Sequence, residues 1–176
     1  RHGYDWKVFD VPDGFSNRPK PWLRVWYARE NIQDYDYIMF LDGDAFFVEL
    51  DTNLDSLLKY FSDEISFLFA RDQKLPNYTF HKNLPNAGVF VIKNSPNAVA
   101  LLDTWWDIPN SKDWTGKLFY DDNRYLDNTD TVHQHPYEQL ALWFVYKEHN
   151  NAFKLTEDYR ELNGVDGQFV RHMIQV

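Results

Sequence analysis

One short stretch, residues 37–47, constrains the fold of this chain more than any other. An apolar run, Tyr37–Leu41, stops at two carboxylates that flank a glycine, in the order Asp42, Gly43, Asp44. Because the run is short and follows the polar residues 33–36, it indicates a buried strand rather than a helix. A glycine at position 43 would let the backbone turn sharply there. Ligands of open α/β sheets bind beyond the carboxyl ends of strands, so the sequence predicts a binding site at this turn.

The chemistry of this acidic turn favours a divalent cation. Carboxylate oxygens suit Mg²⁺ or Mn²⁺, which bind through one or two carboxylates together with substrate phosphates. The formal net charge of −9 and the pI of about 5.0 argue against binding to nucleic acid or to an anionic membrane. An acidic protein that binds a phosphorylated ligand needs a cation to neutralise it, which agrees with this hypothesis. The alternative is an ordinary solvated turn, because Asp-Gly turns are common.

Size and composition indicate one folded domain, residues 1–176. Of the 176 residues, 44% are hydrophobic and 18% aromatic, so the chain can bury a sizeable core. The absence of cysteine excludes disulfides, zinc–thiolate sites and thiol catalysis in this sequence. The sequence has neither an apolar run of about 18 residues nor a signal peptide. It begins at Arg1 without a methionine, so we expect the natural N-terminus to be missing and give the lack of a targeting signal little weight.

The remaining helices and strands follow in an order typical of an α/β protein. Near-continuous apolar runs at residues 65–70 and 89–93 indicate strands that are buried on both faces, and the first of them ends at Arg71 and Asp72. Residues 6–9 predict a short strand, and Asn86–Gly88 predict a turn before the strand at 89–93. One predicted helix begins at Pro21, a second begins near Pro96 and a third spans residues 136–149, and late strands lie within 153–155 and 168–173. This pattern predicts a three-layer α/β/α sandwich with a mixed, mainly parallel sheet and a site along the carboxyl ends of its strands.

Two segments in the second half of the chain carry further candidate side chains. Glu138 and Gln139 lie in the first turn of the predicted helix at 136–149, where the helix dipole alone would favour an acid. Residues 107–135 form a long polar insert, and such loops are usually functional or mobile. Three aromatic residues of the insert either form a platform for a ligand or pack locally: Trp114, Tyr120 and Tyr125.

Taken in order, several short motifs resemble a known enzyme family. They are His-Gly-Tyr-Asp at 2–5, Pro-Trp-Leu-Arg at 21–24, Asp-Gly-Asp-Ala-Phe-Phe at 42–47, Asn-Ala-Gly-Val-Phe at 86–90, Lys-Asn-Ser at 93–95, His-Pro-Tyr-Glu-Gln-Leu-Ala-Leu at 135–142 and Phe-Val-Arg-His at 169–172. The set resembles the retaining galactosyl- and xylosyltransferases, a family with yeast and plant enzymes that make galactomannan and xyloglucan side chains. The resemblance covers most of the chain except the 107–135 insert, and it implies a glycosyltransferase domain of the GT-A type.

The resemblance also implies a reaction and a set of site residues. A sugar would pass from a UDP-sugar to a hydroxyl of a glycan or glycoprotein acceptor with retention of configuration, assisted by Mn²⁺ or Mg²⁺. The implied metal ligands are Asp42, Asp44 and His172, although His172 judged from the sequence alone would be an ordinary strand histidine. The implied donor-binding residues are Arg24, Asp42, Gly43, Asp44, Asn86, Ala87 and Gly88. The implied catalytic residues are Glu138, Gln139 and Asp72. If Glu138 is not catalytic, the candidates are Asp72 and two acids of the insert, Asp121 and Asp122. The aromatic residues of the insert would then be the platform for an acceptor sugar, unless they pack locally.

The sequence also departs from this family. Its members typically carry a membrane anchor and cysteines, and their first strand, which holds the nucleotide base, would lie upstream of Arg1. The compact form without cysteine is more similar to soluble glycosyltransferase domains of chloroviruses that decorate capsid glycoproteins. This similarity favours a soluble protein of the host cytoplasm and a deoxyhexose donor. The Golgi lumen is the alternative location, and glucose, galactose and xylose are the alternative sugars.

Three other functions use similar residues. A metal-dependent sugar nucleotidyltransferase or a sugar-phosphate phosphatase would also carry paired aspartates, and a non-catalytic carbohydrate-binding domain would account for the seven tryptophans and eleven tyrosines. The phosphatase would need a downstream lysine and acidic pair that cannot be placed in this sequence. The binding domain would leave unexplained why buried strands end repeatedly on acids and asparagine. The sequence does not distinguish a double displacement from a same-face substitution.

Overall fold

The structure is a computed structural model of the chain. It describes residues 3–13, 15, 18–51, 53–71, 84–110, 117–121, 124–127, 138–157, 161–162 and 169–172. The α-helices are α1 (Leu23–Asn31), α2 (Pro96–Asp107) and α3 (Glu138–His149). The strands are β1 (Tyr37–Leu41), β2 (Ala45–Phe47), β3 (Phe67–Arg71), β4 (Pro85–Lys93), β5 (Lys117–Asp121), β6 (Arg124–Asp127), β7 (Phe153–Leu155) and β8 (Val170–His172).

The central sheet of the described chain has the order β1-β4-β3-β7. Strand β4 is antiparallel to both β1 and β3, whereas β3 and β7 are parallel. The α/β class and the mixed sheet are therefore confirmed, but the prediction of a mainly parallel sheet is wrong for the described pairings. Continuous apolar runs show only that a strand is buried on both faces. They carry no information about its direction.

The two faces of the central sheet are covered differently. Helices α1, α2 and α3 pack against one face, where Trp22, Phe90 and Trp105 belong to the same buried cluster. On the other face, Leu57 from a 3₁₀ helix, Leu54–Tyr60, and Val170 from β8 pack against the sheet. Among the described residues, α-helices therefore cover only one face of the sheet, and the predicted three-layer sandwich is not confirmed.

Local sequence signals explain where these helices begin. Ser95 caps α2, since its hydroxyl accepts a hydrogen bond from the Ala98 N–H, and Pro96 occupies the first helical position. Pro21 lies in a 3₁₀ turn, Lys20–Trp22, that leads directly into α1. Both helices were predicted from the sequence. No described helix is long and apolar enough to cross a membrane.

Strand β4 bulges away from β3 close to the predicted site. Phe69 is paired with Phe90, but the next residue of β3, Ala70, is paired with Asn86, so residues 87–89 have no counterpart on β3. On its other edge β4 continues its pairing with β1, and the Asp42 N–H donates to the Gly88 carbonyl at 2.9 Å. The sequence predicted a turn at Asn86–Gly88 before the strand. The structure places these residues inside β4, as part of this bulge.

Two other segments differ from their predicted conformation. Within the insert, β5 and β6 form an antiparallel pair in which Phe119 lies opposite Tyr125. These strands are too short to show a clear alternation of apolar and polar residues. Residues 6–9, predicted as a short strand, have no regular secondary structure.

Candidate active site

The acidic turn lies at the edge of the sheet where β1 and β3 end and β4 begins. The Asp42 carbonyl accepts a hydrogen bond from the Ala45 N–H at 2.9 Å, which closes a turn around Gly43 and Asp44. Gly43 does not have a positive φ, and a Cβ added there would meet no atom within 4 Å. The turn therefore does not require glycine for its conformation, contrary to the prediction. The space beside Gly43 is instead open for a ligand to approach the backbone.

Arg24 of α1 is the centre of this site. Its Nη2 lies 2.7 Å from Asp42 Oδ1, and its Nη1 lies 3.3 Å from Glu138 Oε1 and donates to the Ala87 carbonyl at 2.7 Å. The side chain is only 13% exposed, and its guanidinium lies 5.3 Å from the centre of the Phe40 ring. One buried cation thus connects the turn after β1, the bulge of β4 and the start of α3.

Glu138 is almost completely buried at the first residue of α3. Its backbone carbonyl accepts a hydrogen bond from the Trp105 indole at 2.8 Å, while its Oε2 has no hydrogen-bond partner among the described residues. Burial raises the pKa of the Glu138 carboxyl, and the negative charge of Asp42 adds to this rise. Arg24 and the backbone N–H groups at the helix start oppose it. The site therefore holds a buried carboxyl with one unused oxygen.

The residues before Val89 contribute backbone groups to the site. The Asn86 side chain accepts a hydrogen bond from the Gly88 N–H at 2.8 Å, which stabilises the bulge locally. Ala87 is fully buried and uses its carbonyl to bind Arg24 and its N–H to bind Gln139. Gly88 is buried as well. The structure thus brings these three predicted donor-binding residues next to Arg24.

Gln139 contacts the backbone of β4 with both ends of its carboxamide. Its Oε1 accepts from the Ala87 N–H at 2.8 Å, and its Nε2 donates to the Pro85 carbonyl at 2.6 Å. The indole of Trp143, one helical turn further along α3, donates to the same Pro85 carbonyl at 2.8 Å. The first turns of α3 are therefore fixed to the start of β4.

The backbone of His172 lies next to the acidic turn. Strands β2 and β8 form an antiparallel ribbon in which Ala45 is directly opposite His172, and the Val48 N–H donates to the Phe169 carbonyl at 3.0 Å. Among the side chains that the structure describes, no group of three His, Cys, Asp or Glu residues could hold a metal ion. The His172 side chain is not among them, so the ligand set of Asp42, Asp44 and His172 stays a prediction.

Several predicted residues lie outside what the structure describes. Asp72, Trp114 and Asp122 fall in segments that are not described. For Tyr120, Asp121 and Tyr125 only the backbone is described, in the β5–β6 hairpin. Their predicted roles as catalytic residues or as an acceptor platform stay predictions.

A cleft that sequence reasoning missed leads to Arg24 and Asp42. Its volume is about 660 Å³, and it lies between residues 5–9, helix α1 and the outer edge of β1. Lys7 and Lys20 line it, together with six aromatic residues that were not predicted to be functional: Trp6, Phe9, Tyr27, Tyr35, Tyr37 and Phe40. Segment 5–9 has no regular secondary structure, so no periodic pattern in the sequence could have identified this wall.

Comparison with known proteins gives two matches to sugar-transferring enzymes. Residues 79–158 match the galactosyl transferase GMA12/MNN10 family, a range that contains Asn86 and Glu138 but neither Asp42 nor His172. The chain is also 27% identical, over 153 residues, to an uncharacterized alpha-1,2-galactosyltransferase of Schizosaccharomyces pombe. That alignment covers 66% of this chain but only 38% of the length of the relative. Both similarities support a glycosyltransferase and agree with the resemblance found in the motifs, whereas neither shows a viral origin.

Proposed function

We propose that this chain is a metal-dependent glycosyltransferase domain that moves a sugar from a UDP-sugar to a hydroxyl of a glycan acceptor, with retention of configuration. The family match and the fission yeast relative support the reaction class, and the name of that relative makes galactose the first candidate sugar. UDP as the nucleotide rests on the resemblance described above.

The observation that carries this proposal is the arrangement of Asp42, Arg24 and Glu138 beside a cleft. A domain that only binds carbohydrate has no need of a buried carboxyl beside a largely buried cation, with an Oε2 that finds no partner among the described residues. A sugar nucleotide needs positive charge near its diphosphate and negative charge near the sugar carbon from which the diphosphate departs. Arg24 and Glu138 supply these two charges side by side.

The residues around the acidic turn fit a divalent cation. Two carboxylates lie in one turn, and the backbone of His172 lies opposite Ala45 on the neighbouring strand, so residues that can offer hard oxygen ligands and an imidazole are close along the backbone. This ligand set suits Mn²⁺ better than Mg²⁺, because imidazole prefers transition metals. Asp42, Asp44 and His172 would hold the ion. When bound, the ion would act as a Lewis acid that neutralises the diphosphate leaving group.

The protein itself binds the donor and stabilises the charge that develops during the reaction. The open space at Gly43 lets the diphosphate approach the backbone, and the cleft beside β1 accommodates the nucleotide. The carboxylate of Glu138 stabilises positive charge that develops on the sugar carbon, or attacks that carbon as a nucleophile. Either role requires the ionised form, so the raised pKa of Glu138 should move the acid limb of turnover to a higher pH than an ordinary glutamate would give.

The test is release of UDP from a panel of UDP-sugars in the presence of Mn²⁺. UDP-galactose, UDP-glucose, UDP-xylose and UDP-rhamnose are incubated with the protein, with and without EDTA. We expect release from UDP-galactose that EDTA abolishes. Release from another donor would instead assign that sugar, and glycan binding without any UDP-sugar binding or UDP release would overturn the proposal in favour of a carbohydrate-binding domain.

A pair of variants completes this experiment. Asp44→Ala should lose metal-dependent binding of the donor while the protein stays folded, because Asp44 lies in a turn and belongs to none of the buried clusters of the described chain. Asp63→Ala, which removes an exposed carboxylate from a bend between elements, is the matched control and should behave like the parent protein. Equal donor binding by the two variants would show that the acidic turn is not the metal site.

A further inference from the structure

We propose that Gln139 is a positioning residue, which fixes Arg24 through the backbone of Ala87, rather than a group that acts on the sugar. This inference rests on the proposed function for its kinetic test only, since the contacts behind it are properties of the folded protein. It assigns to Gln139 a role that the resemblance did not imply.

The first argument is that the carboxamide of Gln139 is already used on both sides. Its oxygen accepts from the N–H of residue 87 and its nitrogen donates to the carbonyl of residue 85. In a parallel pair of strands, one residue donates its N–H to the carbonyl of residue i on the neighbouring strand. The same residue accepts from the N–H of residue i+2 of that strand. Gln139 thus replaces a strand residue, and neither heteroatom is left without a protein partner.

The second argument is that β4 needs such a replacement at this place. Residues 87–89 have no counterpart on β3, because the pairing moves from Phe90 directly to Asn86. Ala87 is fully buried, so its N–H would lose its hydrogen bond without gaining one from water if Gln139 were absent. The side chain of Gln139 therefore determines the conformation of the bulge.

The third argument connects the bulge to the charges of the site. The carbonyl of Ala87, whose N–H binds Gln139, accepts from Arg24 Nη1 at 2.7 Å. The same guanidinium binds Asp42 and Glu138. A shift of Ala87 would consequently move Arg24 away from both carboxylates. Trp143 limits such a shift from the other side, because it shares the Pro85 carbonyl with Gln139.

The two roles predict opposite results for Gln139→Glu. If Gln139 acted on the sugar carbon as a nucleophile or as a charge stabiliser, a carboxylate at the same place would act at least as well. If Gln139 is a positioning residue, the Gln139→Glu variant should bind the donor poorly, because a carboxylate cannot donate a hydrogen bond to the Pro85 carbonyl and repels its oxygen. We expect the donor KM to rise about tenfold or more, with a smaller change in kcat.

A second variant separates lost hydrogen bonds from added charge. Gln139→Met keeps the length of the side chain, removes both hydrogen bonds and adds no charge. We expect a similar rise in donor KM. In a protein that already carries Arg24→Lys, adding Gln139→Met should raise donor KM only about twofold, since the two residues act through one contact. Asn97→Asp makes the same amide-to-carboxylate change on the exposed first turn of α2 and should leave both constants unchanged. Unchanged donor KM with a lower kcat in Gln139→Met, or full activity in Gln139→Glu, would overturn the proposal.

Two NMR measurements test the contact itself without relying on enzyme activity. In the parent protein we expect a scalar coupling across the hydrogen bond between the Ala87 amide nitrogen and the side-chain carbonyl carbon of Gln139. Hydrogen exchange at Ala87 should be at least about tenfold faster in Gln139→Met than in the parent. Absence of the coupling in the parent would overturn the inference even if neither variant folds. Presence of the coupling in a protein that turns over no UDP-sugar would retain the contact and reject the proposed function.

Discussion

Asp42 and Glu138 share a single guanidinium, although one follows the first strand of the sheet and the other begins the last helix. Arg24 lies 2.7 Å from Asp42 and 3.3 Å from Glu138. If both acids are ionised, two negative charges face one positive charge, and Arg24 Nε as well as Glu138 Oε2 lack partners among the described residues. With both acids ionised, a bound cation or a positive charge that develops on a substrate would therefore stabilise this group further.

The first prediction concerns this shared cation. Arg24→Met should lower the free energy of unfolding by about 3–5 kcal/mol, because it removes the largely buried cation that both carboxylates contact. The salt bridge between Arg29 and Asp103 offers a matched control, since its side chains are 25% and 52% exposed. Arg29→Met should cost about 1 kcal/mol or less. Urea denaturation of the two variants measures the difference.

A second substitution identifies the cause of that loss. Adding Glu138→Gln to the Arg24→Met protein removes the charge of one of the two acids that contact Arg24 and should recover part of the lost stability. Equal destabilisation by Arg24→Met and Arg29→Met, or no recovery in the double variant, would show that Arg24 contributes packing alone.

The sequence predicted those parts of the site that depend on local signals. An apolar run that stops at Asp42 is visible in any short window, and so is the start of α3 near Glu138. The partners of Arg24 were not predictable, because Asp42, Ala87 and Glu138 are brought to it by long-range packing. The bulge of β4 depends on how two distant strands pair, and the direction of β4 is not encoded in its apolar pattern. Gln139 was assigned a role from resemblance, which says nothing about its contacts.

The second prediction concerns His172 and pH. If His172 binds the metal, affinity for the UDP-sugar in the presence of Mn²⁺ should fall below about pH 6, because imidazole must be neutral to coordinate a metal. His172→Ala should bind the donor more weakly and should lack this acid limb. His149→Ala removes an exposed histidine at the end of α3 and should keep the parent profile. Calorimetry from about pH 5 to pH 8 gives the donor affinity of the three proteins as a function of pH. An acid limb that persists in His172→Ala would show that His172 is an ordinary strand residue.

The third prediction follows from the raised pKa of Glu138. A carboxyl whose pKa is higher in the folded than in the unfolded protein holds its proton longer in the folded state. The stability that this gives is complete at low pH and is lost as the pH rises through the raised pKa. Glu138→Gln cannot lose a proton, so its free energy of unfolding relative to the parent should increase with pH above about pH 4 and then level off. Urea denaturation at a series of pH values measures this difference, and a constant difference would contradict the burial of an ionisable group here.

The last prediction concerns the chemical role of Glu138. An ionised carboxylate at the start of α3 can stabilise a positive charge that develops on the sugar carbon, and the donor is bound mainly by other groups. Removal of the charge should then reduce kcat while donor Kd hardly changes. Loss of one well-placed electrostatic group costs about a hundredfold or more in rate. Glu138→Gln keeps the shape of the side chain, so donor Kd by calorimetry and turnover with an acceptor separate the two effects. Turnover within about threefold of the parent would show that Glu138 only begins the helix and holds Arg24. The catalytic acid would then have to be sought at Asp72 or in the insert, at Asp121 and Asp122.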